Sequence, residues 1–176
     1  MSSTRLTRDD SKPSLEAALK PGSARHSTIA TRNRRTAWLL SLAGIIPFAF
    51  LSLTLVLMEN SNPAYAILID GLKTYAAVIL SFLGGIRWGN ALHSLSDEGA
   101  GTTFAISVVP SLVGWFSLLL PLPYVFAVLA LAFAAQGAWD TFAGQFGVFG
   151  LWFARLRMVI TGCVAICLAV AFFATA

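Results

Sequence analysis

Charge is scarce in this 176-residue chain. Asp, Glu, Lys and Arg make up 11% of it, against about 25% in an ordinary soluble domain. That shortage excludes a conventional water-facing surface, and a mean hydropathy of +0.75 points to lipid as the solvent. Histidine is nearly missing: His26 and His93 are the two present, which excludes an H-E-x-x-H zinc helix and a membrane-embedded bis-histidine haem. Cysteine is limited to Cys163 and Cys167, four residues apart in one apolar run. On a helix they lie one turn apart on one face, poor geometry for a disulfide, and without further ligands they make no metal site. They read as small buried hydrophobes. There is also no nucleotide-binding glycine loop, no pair of intramembrane acids and no nucleophile–base pair. The expectation is therefore a protein that is not an enzyme and carries no cofactor and no metal.

What is present is apolar sequence in five runs, each near the roughly 20 residues that a bilayer crossing needs. They lie at about 38–58, 65–92, 103–120, 124–139 and 158–176. Pro47 and Pro110 interrupt the first and third and predict bends. The polar turn Glu59–Pro63 and the loop around His93–Thr102 separate the first three runs, and Pro121–Pro123 makes a tight reversal between the third and fourth. The predicted fold is an all-α integral membrane protein with five transmembrane helices, occupying residues 37–176.

Residues 1–36 form a separate region, a basic and mostly disordered tail. Arg5, Arg8, Lys12, Lys20, Arg25, Arg32, Arg34 and Arg35 outnumber Asp9, Asp10 and Glu16, and too little apolar surface is available to offset chain entropy. Ser14–Lys20 has the makings of one or two helical turns. The basic excess predicts attraction to anionic lipid headgroups. No aromatic rings are interleaved to stack on bases, so nucleic acid is not an expected partner. The acids argue for a cytoplasmic tail over an organelle transit peptide.

The stretch 140–157 is read as an interfacial segment: Phe142, Phe146, Phe149, Phe153 and Trp152 suit the headgroup layer, and Gly144, Gly147 and Gly150 weaken a regular helix. With five spans and a cytoplasmic N-terminus, Arg32, Arg34, Arg35, Arg87, Arg155 and Arg157 all share the cytoplasmic side, as the positive-inside rule requires. The C-terminus then lies opposite. Trp38, Trp88, Trp139 and Trp152 are the expected interfacial anchors.

Two sets of residues carry functional interest. Ala77, Ser81, Gly85 and Gly89 recur every four positions and form a small-residue stripe for close helix packing, with Ala130, Ala134 and Ala138 as candidate partners. Among charged residues, Arg87 either reaches the interface with its long side chain, pairs with Asp140 at the end of the antiparallel fourth helix, or binds an anionic headgroup or ligand. Asp70 and Lys73 have i,i+3 spacing for an intrahelical pair, and with Arg87 and Asp140 they outline a possible polar route.

In "YAAVILSFLGGIRWG" (Tyr75 to Gly89), "VVPSLVGWFSLLLP" (Val108 to Pro121) and "WFARLRMVIT" (Trp152 to Thr161), the chain resembles the transmembrane protein 69 family, from about Trp38 onward. The resemblance implies a short multi-pass fold in a bacterial or mitochondrial membrane and carries no established activity. The family pattern often has histidine where this chain has Arg87.

The residues thus predict a multi-pass protein, of unknown function, that acts through helix packing as an accessory subunit or assembly factor. Its expected surroundings are the lipid bilayer and a membrane-protein partner or a homo-oligomer. The bacterial cytoplasmic (inner) membrane is the expected location, with the mitochondrial inner membrane as the other. The alternative is a small transporter or channel subunit that uses the charged residues.

Overall fold

The computed structural model describes residues 21–93, 100–145 and 151–176. Among them the regular elements are six α-helices: α1 (Pro21–Ala43), α2 (Ile46–Leu57), α3 (Ala64–His93), α4 (Ala100–Ser117), α5 (Tyr124–Gln145) and α6 (Leu151–Thr175). Four stretches are long and apolar enough to cross a membrane, Arg32–Leu57, Ala64–Gly89, Tyr124–Phe142 and Trp152–Thr175, and Gly101–Ser117 is a shorter apolar helix. These are the five helices that the hydropathy pattern predicts.

The chain divides into two compact units, 1–40 and 41–176. The described part of the first is helical from Pro21, so residues 21–36 depart from the disordered tail that composition suggests. The Ser14–Lys20 turns lie outside the described residues.

In the second unit, α2 to α6 pack as a ring in the order α4, α3, α2, α6, α5, and α3 also touches α5 across it. The most extensive packing is within the hairpins α3/α4 and α5/α6; the α4/α5 pair that meets at Pro121–Pro123 is more loosely joined. Phe48, Leu72, Leu80, Phe126, Leu129 and Leu168 are at most 1% exposed and fill the middle. Outward, large apolar side chains such as Ile67, Phe82, Leu131 and Phe173 stand mostly exposed. That inversion of the soluble pattern is what a lipid solvent allows.

Backbone polarity is satisfied locally, as hydrocarbon demands. Where Pro47 starts α2 it supplies no N–H, and the helical run breaks at Gly44–Ile45. The Gly44 carbonyl accepts a 3.0 Å hydrogen bond from the Tyr75 hydroxyl. At the far end of the chain, the Tyr65 hydroxyl donates to the Ala174 carbonyl at 2.8 Å, capping the last turn of α6. Ser81, Ser107, Ser117 and Thr141 donate back to carbonyls of their own helices. Pro110 lies inside α4, and the third run closes with successive three-residue bonds from Leu118, Leu119 and Leu120.

Two sequence expectations change. Residues 140–145 continue α5 and residues 151–157 open α6, so helix occupies both ends of the stretch read as interfacial; 146–150 lie outside the described residues. The small-residue contact also moves. A Cβ placed on Gly84 would run into the Ser107 carbonyl oxygen, and one on Gly114 would lie 3.1 Å from the Ala77 carbonyl oxygen. Ala77 and Gly84 therefore oppose Gly114 and Ser107 in one antiparallel register, and Ala91 is also buried on α3. Gly85 and Gly89 have nothing within 4 Å of an added Cβ. Ala134 and Ala138 are exposed. The hairpin α5/α6 has its own close approach, since a Cβ on Gly137 would collide with the Thr161 side chain.

Overpacking a helix crossing costs about 1–3 kcal/mol or more. Gly84→Leu and Gly137→Leu are expected to lower the thermal unfolding midpoint in detergent, and Gly85→Leu to leave it unchanged. Equal midpoints for Gly84→Leu and Gly85→Leu would contradict the packing described.

Candidate functional site

Three helices bring their charged side chains to one point. Arg87 comes from α3, Asp140 from α5 and Arg157 from α6. Arg87 donates to Asp140 Oδ1 through Nη2 at 2.7 Å and Nε at 3.2 Å. Arg157 donates to Oδ2 through Nε at 2.8 Å. Gln136, one turn before Asp140 on α5, adds Nε2 at 3.4 Å from Oδ1. The three side chains are 9%, 7% and 5% exposed in chain order, so water screens this cluster little. Arg87 is thus a buried ion-pair partner, and does not extend freely to the interface.

Among the described residues the cluster's charges do not cancel: one carboxylate faces two guanidinium groups, and a net charge of +1 remains. Arg157 Nη2 lies 2.8 Å from Oδ2, yet it is buried without an aligned hydrogen-bond acceptor. The Arg87 guanidinium carbon stands 4.9 Å from the centre of the Trp139 ring, a cation–π distance. Trp88, the neighbour of Arg87, meets Phe104 of α4 edge-on at 4.8 Å. Trp88 and Trp139 are 45% and 50% exposed, with an apolar body and a polar tip suited to the headgroup boundary. Trp152 packs on Phe153 at the start of α6, and Trp38 lies on α1.

Asp70 and Lys73 form their i,i+3 pair at 2.6 Å, with side chains 66% and 27% exposed. Lys73 and Arg87 are about 21 Å apart along α3 at 1.5 Å per residue. Ala76, Ala77, Leu80 and Leu83 are buried in that interval. The four charged residues therefore fall into two clusters, and among the described residues the core between them is apolar. Cys163 and Cys167 are both free on α6.

The sequence offers the Arg87–Asp140 pair as one of three readings of Arg87, beside a side chain reaching the interface and a bound anion, and none of the three includes Arg157 or Gln136 as a member of the cluster. Gln136 carried a usable signal, being a lone amide within the apolar run 124–139 at i−4 from Asp140. Arg157 was masked by the glycines ahead of it, which hid its place on a continuous helix.

Beside the cluster a groove of about 470 Å³ runs between α4 and α5, with Leu80 and Arg87 of α3 at its floor. Arg87, Gln136 and Trp139 supply the polar end, and the remaining walls are apolar. Val109 and Leu131 on its rim are 50% and 71% exposed, so the groove opens on the lipid-facing surface.

The family model described as protein of unknown function (DUF3429) matches residues 33–173. Transmembrane protein 69 of Xenopus tropicalis is 31% identical over 128 residues, covering 72% of this chain and 49% of the relative. Transmembrane protein 69 of Mus musculus is 29% identical over 147 residues, covering 83% of this chain and 59% of the relative. The chain thus spans between half and three-fifths of the length of these relatives. No solved structure matches it.

Removing one partner of a buried ion pair costs about 3–5 kcal/mol when a charge is left uncompensated. Asp140→Asn strands two guanidinium groups, whereas Arg87→Gln leaves Asp140 neutralised by Arg157. In detergent unfolding, Asp140→Asn should be the more destabilised of the two, and a reversed order would refute the shared-carboxylate arrangement.

Proposed function

The chain belongs to the DUF3429 family of proteins of unknown function, and from that premise we propose that it is a non-enzymatic accessory subunit or assembly factor of a larger membrane complex. The observation that carries this reading is the pairing, within the chain, of Arg87, Asp140 and Arg157 and of Asp70 and Lys73. Asp140 engages both buried arginines, and Asp70 engages Lys73, so the outward helix faces offer apolar contact. On α3 that face includes Val78, Phe82 and Trp88, each at least 45% exposed, around the open glycines Gly85 and Gly89. Glycines in this position let a neighbouring helix approach closely without a hydrophobic driving force. The reading favours a membrane-protein partner over a soluble one.

The separation of Asp70 and Lys73 from the Arg87 cluster weighs against a transporter or channel built on those four residues. The arginine distribution supports a cytoplasmic N-terminus, and with it the bacterial cytoplasmic membrane as the site of action.

The test is a tagged pull-down of the full chain in mild detergent, resolved by native gel and mass spectrometry beside an unrelated five-span control. The wild type is expected to bring down a membrane protein in stoichiometric amount, and Gly85→Leu to lose it with the unfolding midpoint unchanged. A chain that migrates alone would overturn the proposal. A partner fully retained by Gly85→Leu would remove this face of α3 from it.

A further inference from the structure

We propose that the groove between α4 and α5 is a binding site for one anionic phospholipid of the surrounding bilayer, with the headgroup phosphate at Arg87 and Gln136 and an acyl chain along the apolar walls. Three observations converge on that occupant. The first is charge. Among the described residues Arg87, Asp140 and Arg157 leave an excess of +1 in a nearly dry cluster, and Arg87 is the member that also lines the groove. A headgroup with one net negative charge neutralises that excess, which a zwitterionic headgroup does not.

The second is length. The groove runs on α5 from Trp139 to Val128, about 16 Å at 1.5 Å per residue. This is about half of the roughly 30 Å hydrocarbon thickness of a bilayer, or one leaflet. The polar end stands at the Trp88 and Trp139 level and the apolar end near the bilayer centre, matching the orientation of a lipid already in that leaflet. The third is access. Val109 and Leu131 are exposed on the rim, so an acyl chain enters sideways from the membrane. Pro110 and Val113 on one side and Val128 and Ala132 on the other offer the chain only carbon.

The experiment is native mass spectrometry of the full wild-type chain released from detergent, titrated with phosphatidylglycerol, with phosphatidylcholine of identical acyl chains, and with the corresponding free fatty acid. One phosphatidylglycerol per chain is expected. Its preference over phosphatidylcholine should be about fivefold, the effect of one basic charge near the membrane surface. Arg87→Gln should erase the preference between headgroups. Ala135→Trp, which fills the groove and keeps every charge, should abolish the bound lipid of either kind. Equal binding of the two phospholipids by the wild type would overturn the proposal, as would stronger binding of the fatty acid. Undiminished lipid binding by a folded Ala135→Trp chain would do the same. The wild-type comparison requires no variant and stands even where a substitution prevents folding.

Discussion

Asp140 offers two oxygens to two guanidinium groups, each on a different helix, and the bundle's connectivity converges on that carboxylate. In water such a cluster would be a weak surface contact, because exposed ion pairs contribute about 0–1 kcal/mol. Buried as it is here, losing one member leaves a charge with no solvent to receive it. The constraint is therefore stronger than the count of bonds suggests. It fixes the rotation of α3, α5 and α6 about their own axes, because each must present one side chain to the same point. The apolar core cannot supply that orientation, since lipid tails are as apolar as leucine and a helix turned outward loses little hydrophobic free energy.

Close backbone approach complements this electrostatic pin. Ala77 and Gly84 set the spacing of α3 on α4, and Gly137 sets that of α5 on α6. The two tyrosine hydroxyls work at helix ends, Tyr75 at the break before α2 and Tyr65 at the end of α6. Each takes up a carbonyl that the helical ladder leaves without an N–H donor. Among the described glycines none makes a comparable close approach across the α4/α5 boundary, and the groove lies there.

Much of this was legible in the residues, and the exceptions have physical reasons. Hydropathy located five apolar helices because lipid solvation is read by length and composition. Placing two charges at the same depth on antiparallel helices made the Arg87–Asp140 pair one candidate, but a long side chain near a helix end can equally reach the interface, and only packing decides between the two. The small-residue stripe failed for a geometric reason. At about 100° per residue, a four-residue step overshoots one turn by about 40°, so the sequence Ala77, Ser81, Gly85, Gly89 winds away from the face where it begins. A seven-residue step drifts only about 20°, and Ala77, Gly84 and Ala91 therefore stay together on the buried side. Arg157 was hidden because three glycines in 144–150 lower helix propensity and suggested an irregular stretch up to Arg157, whereas Leu151–Arg157 opens α6.

Chain order gives the shared carboxylate a temporal meaning. Arg87 precedes Asp140 by 53 residues and Arg157 follows it by 17. At a synthesis rate of about 5–20 residues per second, Arg87 waits roughly 3–10 s for its counter-charge. Its position six residues before the end of α3 at His93 lets the nascent helix keep that guanidinium in the headgroup layer during the interval. Asp140 is made after Arg87 and before Arg157, so the first pair is available to form before the third member exists. Synthesis order therefore leaves α6, the last helix, to supply the second guanidinium of the cluster.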